Sequence, residues 1–242
     1  MTTTSDNPFS GVISFERPYD KEGAPPCGLY LHAPAKLNIN QFAHQLRVVC
    51  QALNESKYQK NMHALELRFP KAIYDRERAD ASALVAICRN NGVVPIVRGD
   101  IGLCIEADAD GVVLSNVKDI AQARHILGEK AIIGMECGNS RETAKAALDQ
   151  GIDYVVFSRF FTRKDAKSYA DLSLLEWWST LTHIPAVATG SVGGTRAIEM
   201  ARAGAGFIAP GNWVWSYSKG PKQAVYWVQA SIDHAHVQAR VN

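Results

Sequence analysis

The strongest constraint on this chain is a repeated alternation of two patterns. Eight short apolar runs, at 29–32, 64–69, 93–97, 111–114, 131–134, 154–157, 186–188 and 206–209, read as strands. The stretches between them, including 42–53, 79–88, 120–127, 144–148, 172–178 and 197–203, carry apolar residues at helical spacing. The shortest connection is 100–108. Three helix-like segments run into a glycine and then a β-rich run, at Gly92, Gly151 and Gly204. A glycine just past a helix takes the left-handed conformation that closes the last turn, so this punctuation marks αβ connections. Eight βα units of about 25 residues predict an α/β chain folded as a single (β/α)8 TIM barrel. A doubly wound open sheet is the alternative, but no G-x-G-x-x-G follows the first strand. Residues 1–26, rich in Pro, Gly and charge, read as a tail, and 27–242 as the barrel.

Composition narrows the function classes. The 242 residues carry 26 Lys+Arg against 24 Asp+Glu, a formal charge of +2, without the basic excess of a nucleic-acid binder. With 47% hydrophobic and 21% charged residues the chain is globular, not disordered. The five cysteines, Cys27, Cys50, Cys88, Cys104 and Cys137, are odd in number and contain no C-x-x-C, which argues against a disulfide framework and a thiolate zinc site. The seven histidines show no metal-binding spacing either. The polar start lacks a signal-peptide pattern, and no apolar stretch is long enough to cross a bilayer. The expectation is a soluble cytoplasmic protein with neither nucleic acid nor membrane as partner.

In a barrel of this kind the chemistry sits at the C-terminal ends of the strands. In the second strand Leu65, Leu67 and Phe69 share the outward face, which turns Ala64, Glu66 and Arg68 inward. Charges inside a barrel are costly unless paired or used, so Glu66 and Arg68 are either a structural pair or part of a site. Lys71 follows closely, Arg98 ends the third strand, and Arg159, Arg163 and Lys164 follow the sixth. Cations from three loops on one rim point to an anionic ligand, and phosphate oxygens suit them. After strand seven comes Thr189-Gly-Ser-Val-Gly-Gly194, and after strand eight Pro210-Gly-Asn212. Small residues there expose backbone N–H groups near helix starts, as a phosphate cradle does; the other reading is a pair of tight turns. Glu66 and Glu136 are the inward carboxylates available for acid–base work. Cys137 reads as a packed small hydrophobe in preference to a nucleophile. Trp213, Trp215, Tyr226 and Trp227 form either the core of the last helix or a surface between copies of a homo-oligomer.

These residues carry a family resemblance. From about Leu29 to Val228 the chain resembles the thiamine phosphate synthases, a group that includes the thiazole tautomerase. The matching stretches include Leu29-Tyr-Leu, Glu66-Leu-Arg68 with Lys71 and Asp75-Arg-Glu77, the run from Leu84 through Cys88 to Val97, Ala109-Asp-Gly-Val112, Asp153-Tyr-Val-Val-Phe157, Ile184-Pro-Ala-Val-Ala188 and Ala203-Gly-Ala-Gly206. The resemblance implies an enzyme of thiamine biosynthesis that joins an aminopyrimidine diphosphate to a thiazole phosphate, with Mg²⁺ holding the departing pyrophosphate. It implies that Arg68 and Lys71 contact the diphosphate, and that Lys164, or Lys167, stands for the lysine of the sixth loop. Gly190, Ser191, Pro210, Gly211 and Asn212 would hold the thiazole phosphate. Apart from the resemblance, the inward Glu66 and the rim cation Arg159 read as substrate-binding residues.

The chain departs from the family pattern at chemically important points. Where the family has an Asn-Asp pair after strand three, this sequence has Arg98-Gly99, and the Asp falls one place later, at Asp100. The second metal-binding Asp aligns with Lys118, with Asp119 again displaced by one. The Gln before the strand-two Arg is Glu66, and the Ser-Thr-His that ends strand five is Glu136-Cys137-Gly138. Either Asp100 and Asp119 hold the metal in a shifted register, or no Mg²⁺ binds here, and Arg98 is a cation that could replace part of the metal's charge. Two further readings stand: a thiazole tautomerase-like isomerase that uses a carboxylate, and a non-catalytic barrel that binds a phosphorylated ligand.

Overall fold

Strand parity and glycine punctuation together build the architecture. The computed structural model describes residues 27–34, 38–54, 62–69, 75–161 and 170–239. The proposed tail at 1–26, and with it Lys71 and Lys164, lies outside the described residues. The strands are β1 (Gly28–His32), β2 (His63–Leu67), β3 (Val93–Arg98), β4 (Gly111–Leu114), β5 (Ile132–Gly138), β6 (Tyr154–Phe160), β7 (Ala186–Gly190) and β8 (Phe207–Ala209). They are parallel, neighbour one another in chain order, and close through β8 against β1. The helices are α1 (Ile39–Leu53), α2 (Asp75–Arg89), α3 (Ile101–Glu106), α4 (Ile120–Leu127), α5 (Arg141–Leu148), α6 (Ser173–Leu181), α7 (Gly194–Arg202) and α8 (Pro221–Ala239). This is the single (β/α)8 barrel that the alternating pattern predicts.

Local signals start and stop the helices. Asn38, Asp100 and Ser140 cap α1, α3 and α5 through side-chain oxygens that accept from Gln41 N, Leu103 N and Thr143 N at 3.3, 2.9 and 3.1 Å. Each such cap is worth about 1 kcal/mol. Past the ends of α2, α5 and α7, Gly92, Gly151 and Gly204 have φ of +67°, +74° and +101°, the left-handed conformation the sequence predicts for these closures.

The strands are apolar on both faces because helices cover one and the lumen the other. Leu65, Leu67, Met135, Val155 and Phe157 belong to the layer between strands and helices. Tyr30, Ala64, Ile96, Val113, Tyr154, Val156 and Phe207 fill the lumen. Gly134 is required by one of these: a Cβ there would lie 2.1 Å from the Tyr154 ring. Its missing side chain lets that ring lie across the barrel.

Pairing register then positions the upper layer. His32 lies beside Glu66, Glu66 beside Ile96, and Arg98 beside Val113, so the polar residues sit one step above the apolar fill. The strand ends are irregular at β5 and β6, where the register shifts between Glu136 and Gly138 and between Phe157 and Phe160. Arg159 and Phe161 take positive φ values of 73° and 53° there. Trp215, in a short 3-10 turn at Asn212–Ser216, donates its Nε1–H to the His32 carbonyl at 2.7 Å and packs edge-on against Phe42. Of the C-terminal aromatics, Trp215 is thus buried core, while Trp227 is 44% exposed.

Candidate active site

Glu66 is the hub of the barrel mouth. Its inward orientation follows from β2 parity, and the residue is 0% exposed. A carboxylate so placed survives only if its lone pairs are occupied. Oε1 accepts from Arg68 Nε at 2.5 Å and from Arg98 at 3.1 Å. Oε2 accepts from the Tyr30 hydroxyl at 3.0 Å, and that hydroxyl shares a hydrogen bond with the Tyr154 hydroxyl at 3.0 Å. Arg98 uses its other terminal nitrogen to donate to Glu136 on β5. Two carboxylates and two guanidiniums therefore form one network. Glu66 is its buried end, while Arg68, Arg98 and Glu136 are each about one-third exposed at 32%, 33% and 31%.

Electrostatics fix the protonation states. Burial pushes the Glu66 carboxyl upward, but the charge interactions with His32, Arg68 and Arg98 and the Arg68 hydrogen bond outweigh it, so the group stays below the usual carboxylate range. Burial also holds His32 down to about 4, against the pull of Glu66 and aided by the two guanidiniums. At neutral pH His32 is therefore uncharged, and Arg68 and Arg98 are the cations that keep Glu66 ionised. Burial would lower Arg98, but Glu66 and Glu136 overcome it and raise the group. Burial pushes both lumen tyrosines, Tyr30 and Tyr154, well above the ordinary phenol value, so they act as hydrogen-bonding hydroxyls.

His32 is a member of this site that the sequence reading missed. Its Nε2 is buried without a hydrogen-bond partner and lies 3.8 Å from Glu66 Oε2, beyond hydrogen-bond reach. Tyr30 and Tyr154 were missed as well. The signal that could have found Tyr30 and His32 is the alternation in β1, which turns both to the face shared with Glu66. Cys137 points the other way, into the strand–helix layer, where burial and Glu136 push its thiol up to about 12. It is a packed residue, not an activated nucleophile.

A family model described as thiamine monophosphate synthase matches residues 29–212. The thiamine-phosphate synthase of Rhodospirillum centenum is 30% identical over 82% of this chain and 94% of its own length. That of Hyphomonas neptunium is 31% identical over 83% and 91%. The chain belongs to the thiamine monophosphate synthase family. In structure it is similar to a thiamine phosphate pyrophosphorylase from Pyrococcus furiosus, with a TM-score of 0.69 at 20% identity over 87% of this chain and 97% of that one. The orotidine 5'-phosphate decarboxylase of Pyrococcus horikoshii shares the fold at a TM-score of 0.62 and 15% identity.

In this member of the thiamine monophosphate synthase family, Asp100 works as the cap of α3 through its Oδ1. Asp119 precedes α4 and makes no side-chain capping bond. Among the described residues, no group of three or more His, Cys, Asp or Glu side chains is gathered as a metal centre. The charged group at the end of β3 is the Arg98 guanidinium. Gly190 packs on Phe160, where a Cβ would meet its carbonyl oxygen at 2.1 Å. The Ser191 and Val192 amides donate to Phe160 O and Gly190 O, both at 3.0 Å, so they hold the loop itself. The Ser191 hydroxyl and carbonyl oxygens accept from Arg196 at 2.8 Å, and Arg196 stacks over Phe161 at 5.3 Å. The amides that open α7 follow Gly193, which supplies no side-chain cap. Gly211, at φ +82°, likewise leads into the 3-10 turn at Asn212 without one. Arg159 stands exposed at the β6 end.

Proposed function

We propose that this chain makes thiamine phosphate. The bond between the pyrimidine methylene carbon and the diphosphate oxygen breaks, and pyrophosphate leaves with the electron pair. The thiazole nitrogen then forms a C–N bond to that carbon. The observation that carries this reading is the pair of guanidiniums, Arg68 and Arg98, anchored on the buried Glu66 at the mouth of a barrel of this family. Arg68 and Arg98 accept the negative charge that grows on the leaving oxygens, and because Glu66 already fixes them, little reorganisation is needed as it grows. The uncapped amides that open α7 and the turn at Gly211 and Asn212 receive the thiazole phosphate.

A second reading rests on Glu136. It is the partly exposed carboxylate of the network and could move a proton on a thiazole ring, as an isomerase requires. The test is product formation from the two phosphorylated substrates. Thiamine phosphate supports the first reading; a rearranged thiazole phosphate without condensation supports the second. The five cysteines are all buried and none forms a disulfide, which supports placing the protein in the reducing cytoplasm. No described helix is long and apolar enough to cross a membrane.

A further inference from the structure

Arg98 bonds two carboxylates of very different standing. Glu66 is wholly buried and cannot be rehydrated, so losing a guanidinium there is expensive. Glu136 is 31% exposed, and a carboxylate released from that position regains water at little cost. Arg98 is also the described partner of Glu136, whereas Glu66 has Arg68 and Tyr30 besides. Of the two bonds on Arg98, the one to Glu66 is therefore the anchor and the one to Glu136 the exchangeable contact. The four charges sum to zero, so an incoming polyanion gains nothing from the cluster while Glu136 stays in place.

We propose that Glu136 is an internal counter-anion: it occupies Arg98 until a ligand's phosphate group displaces it, and so sets the affinity of the site for phosphorylated ligands. The inference rests on Arg68 and Arg98 being the anion-accepting pair. Arg98 stays on Glu66 throughout and keeps its position while it changes partners. Glu136 turns toward solvent, removing one negative charge from beside the arriving one. The arrangement selects for ligands with enough charge to win the exchange, diphosphates above singly charged anions.

The test is titration of the full chain with inorganic pyrophosphate, followed by calorimetry, in wild type, Glu136→Gln, Arg98→Ala and the double variant. Glu136→Gln keeps the side chain's shape and removes its charge, and it should bind pyrophosphate about tenfold more tightly than wild type. On the Arg98→Ala background the same change should add no more than about twofold, because the site it unblocks is gone. Wild-type affinity in Glu136→Gln, or weaker, overturns the proposal. So does an equal gain in both backgrounds, which would be charge repulsion at a distance, and so does undetectable binding by folded Glu136→Gln. The synthesis assay separates this from the functional reading. Product without a gain in Glu136→Gln sinks the counter-anion alone; a gain without product leaves it standing and sinks the reaction.

Discussion

Arg98 on β3 bonds Glu136 on β5 across the top of β4, while the same guanidinium bonds Glu66 on β2 at 3.1 Å. One side chain thus ties three strands of the barrel mouth together. Its removal bears on both stability and chemistry.

Arg98→Ala should cost about 1–3 kcal/mol in urea unfolding, a moderate value because Glu66 keeps Arg68 and Tyr30. Thiamine phosphate formation should fall about a hundredfold, the usual scale for losing a fixed charge-stabilising donor. Arg98→Lys restores charge but cannot bridge two carboxylates as a planar fork does, so it should recover only part of the rate. Wild-type kinetics in Arg98→Ala would remove this residue from the mechanism.

Gly134→Ala should destabilise the barrel by about 3 kcal/mol or more, since the new methyl would overlap the Tyr154 ring and push Tyr154 off Tyr30. Pairing it with Tyr154→Phe should recover little, because the ring itself is the obstacle. Near-wild-type melting of the single variant would show that the ring does not fill the lumen as described.

The His32 imidazole links stability to pH. Its folded value is about 4 against 6.5 for the free group, so the unfolded chain binds the proton more readily between those limits. Stability from His32 is complete above about pH 6.5 and is lost as pH falls toward 4, by up to about 3 kcal/mol. Melting curves at pH 7 and pH 5 should show a larger loss for wild type than for His32→Gln. Equal losses would mean that His32 is not held neutral.

Asp100→Asn should keep the fold and the rate, since Asn caps a helix as well as Asp does. Asp100→Ala should cost about 1 kcal/mol through the lost bond to Leu103 N. If Asp100→Asn abolished synthesis while the protein stayed folded, Asp100 would be a ligand to the substrate or its metal and not a cap.

Much of this was open to inspection in the sequence. The strand parity that turns Leu65 and Leu67 outward turns Glu66 inward, and the glycines at 92, 151 and 204 mark real helix closures. The partners of Glu66 were not legible in the same way. Tyr30 and Tyr154 lie 124 residues apart and read as core aromatics; only closure of the barrel brings their hydroxyls together. The orphaned nitrogen of His32 depends on a pairing register that no local pattern states. Ser191 reads as a phosphate ligand by its loop composition, yet its amide is used on Phe160, a contact set by the bend at the end of β6. Asp100 shows the reverse case: its position three residues before Leu103, at the start of an apolar helix, is a capping signal that its resemblance to a metal ligand obscured.

The role of the two guanidiniums is tested most directly by thiamine phosphate formation from the aminopyrimidine diphosphate and thiazole phosphate by the full chain, with added Mg²⁺ and with chelator, beside Arg98→Ala. The wild type should form product in both conditions and the variant should lose it, because the guanidiniums on Glu66 carry the leaving-group charge. No product from folded wild-type protein, or product that vanishes with chelator and is indifferent to Arg98, would contradict that role.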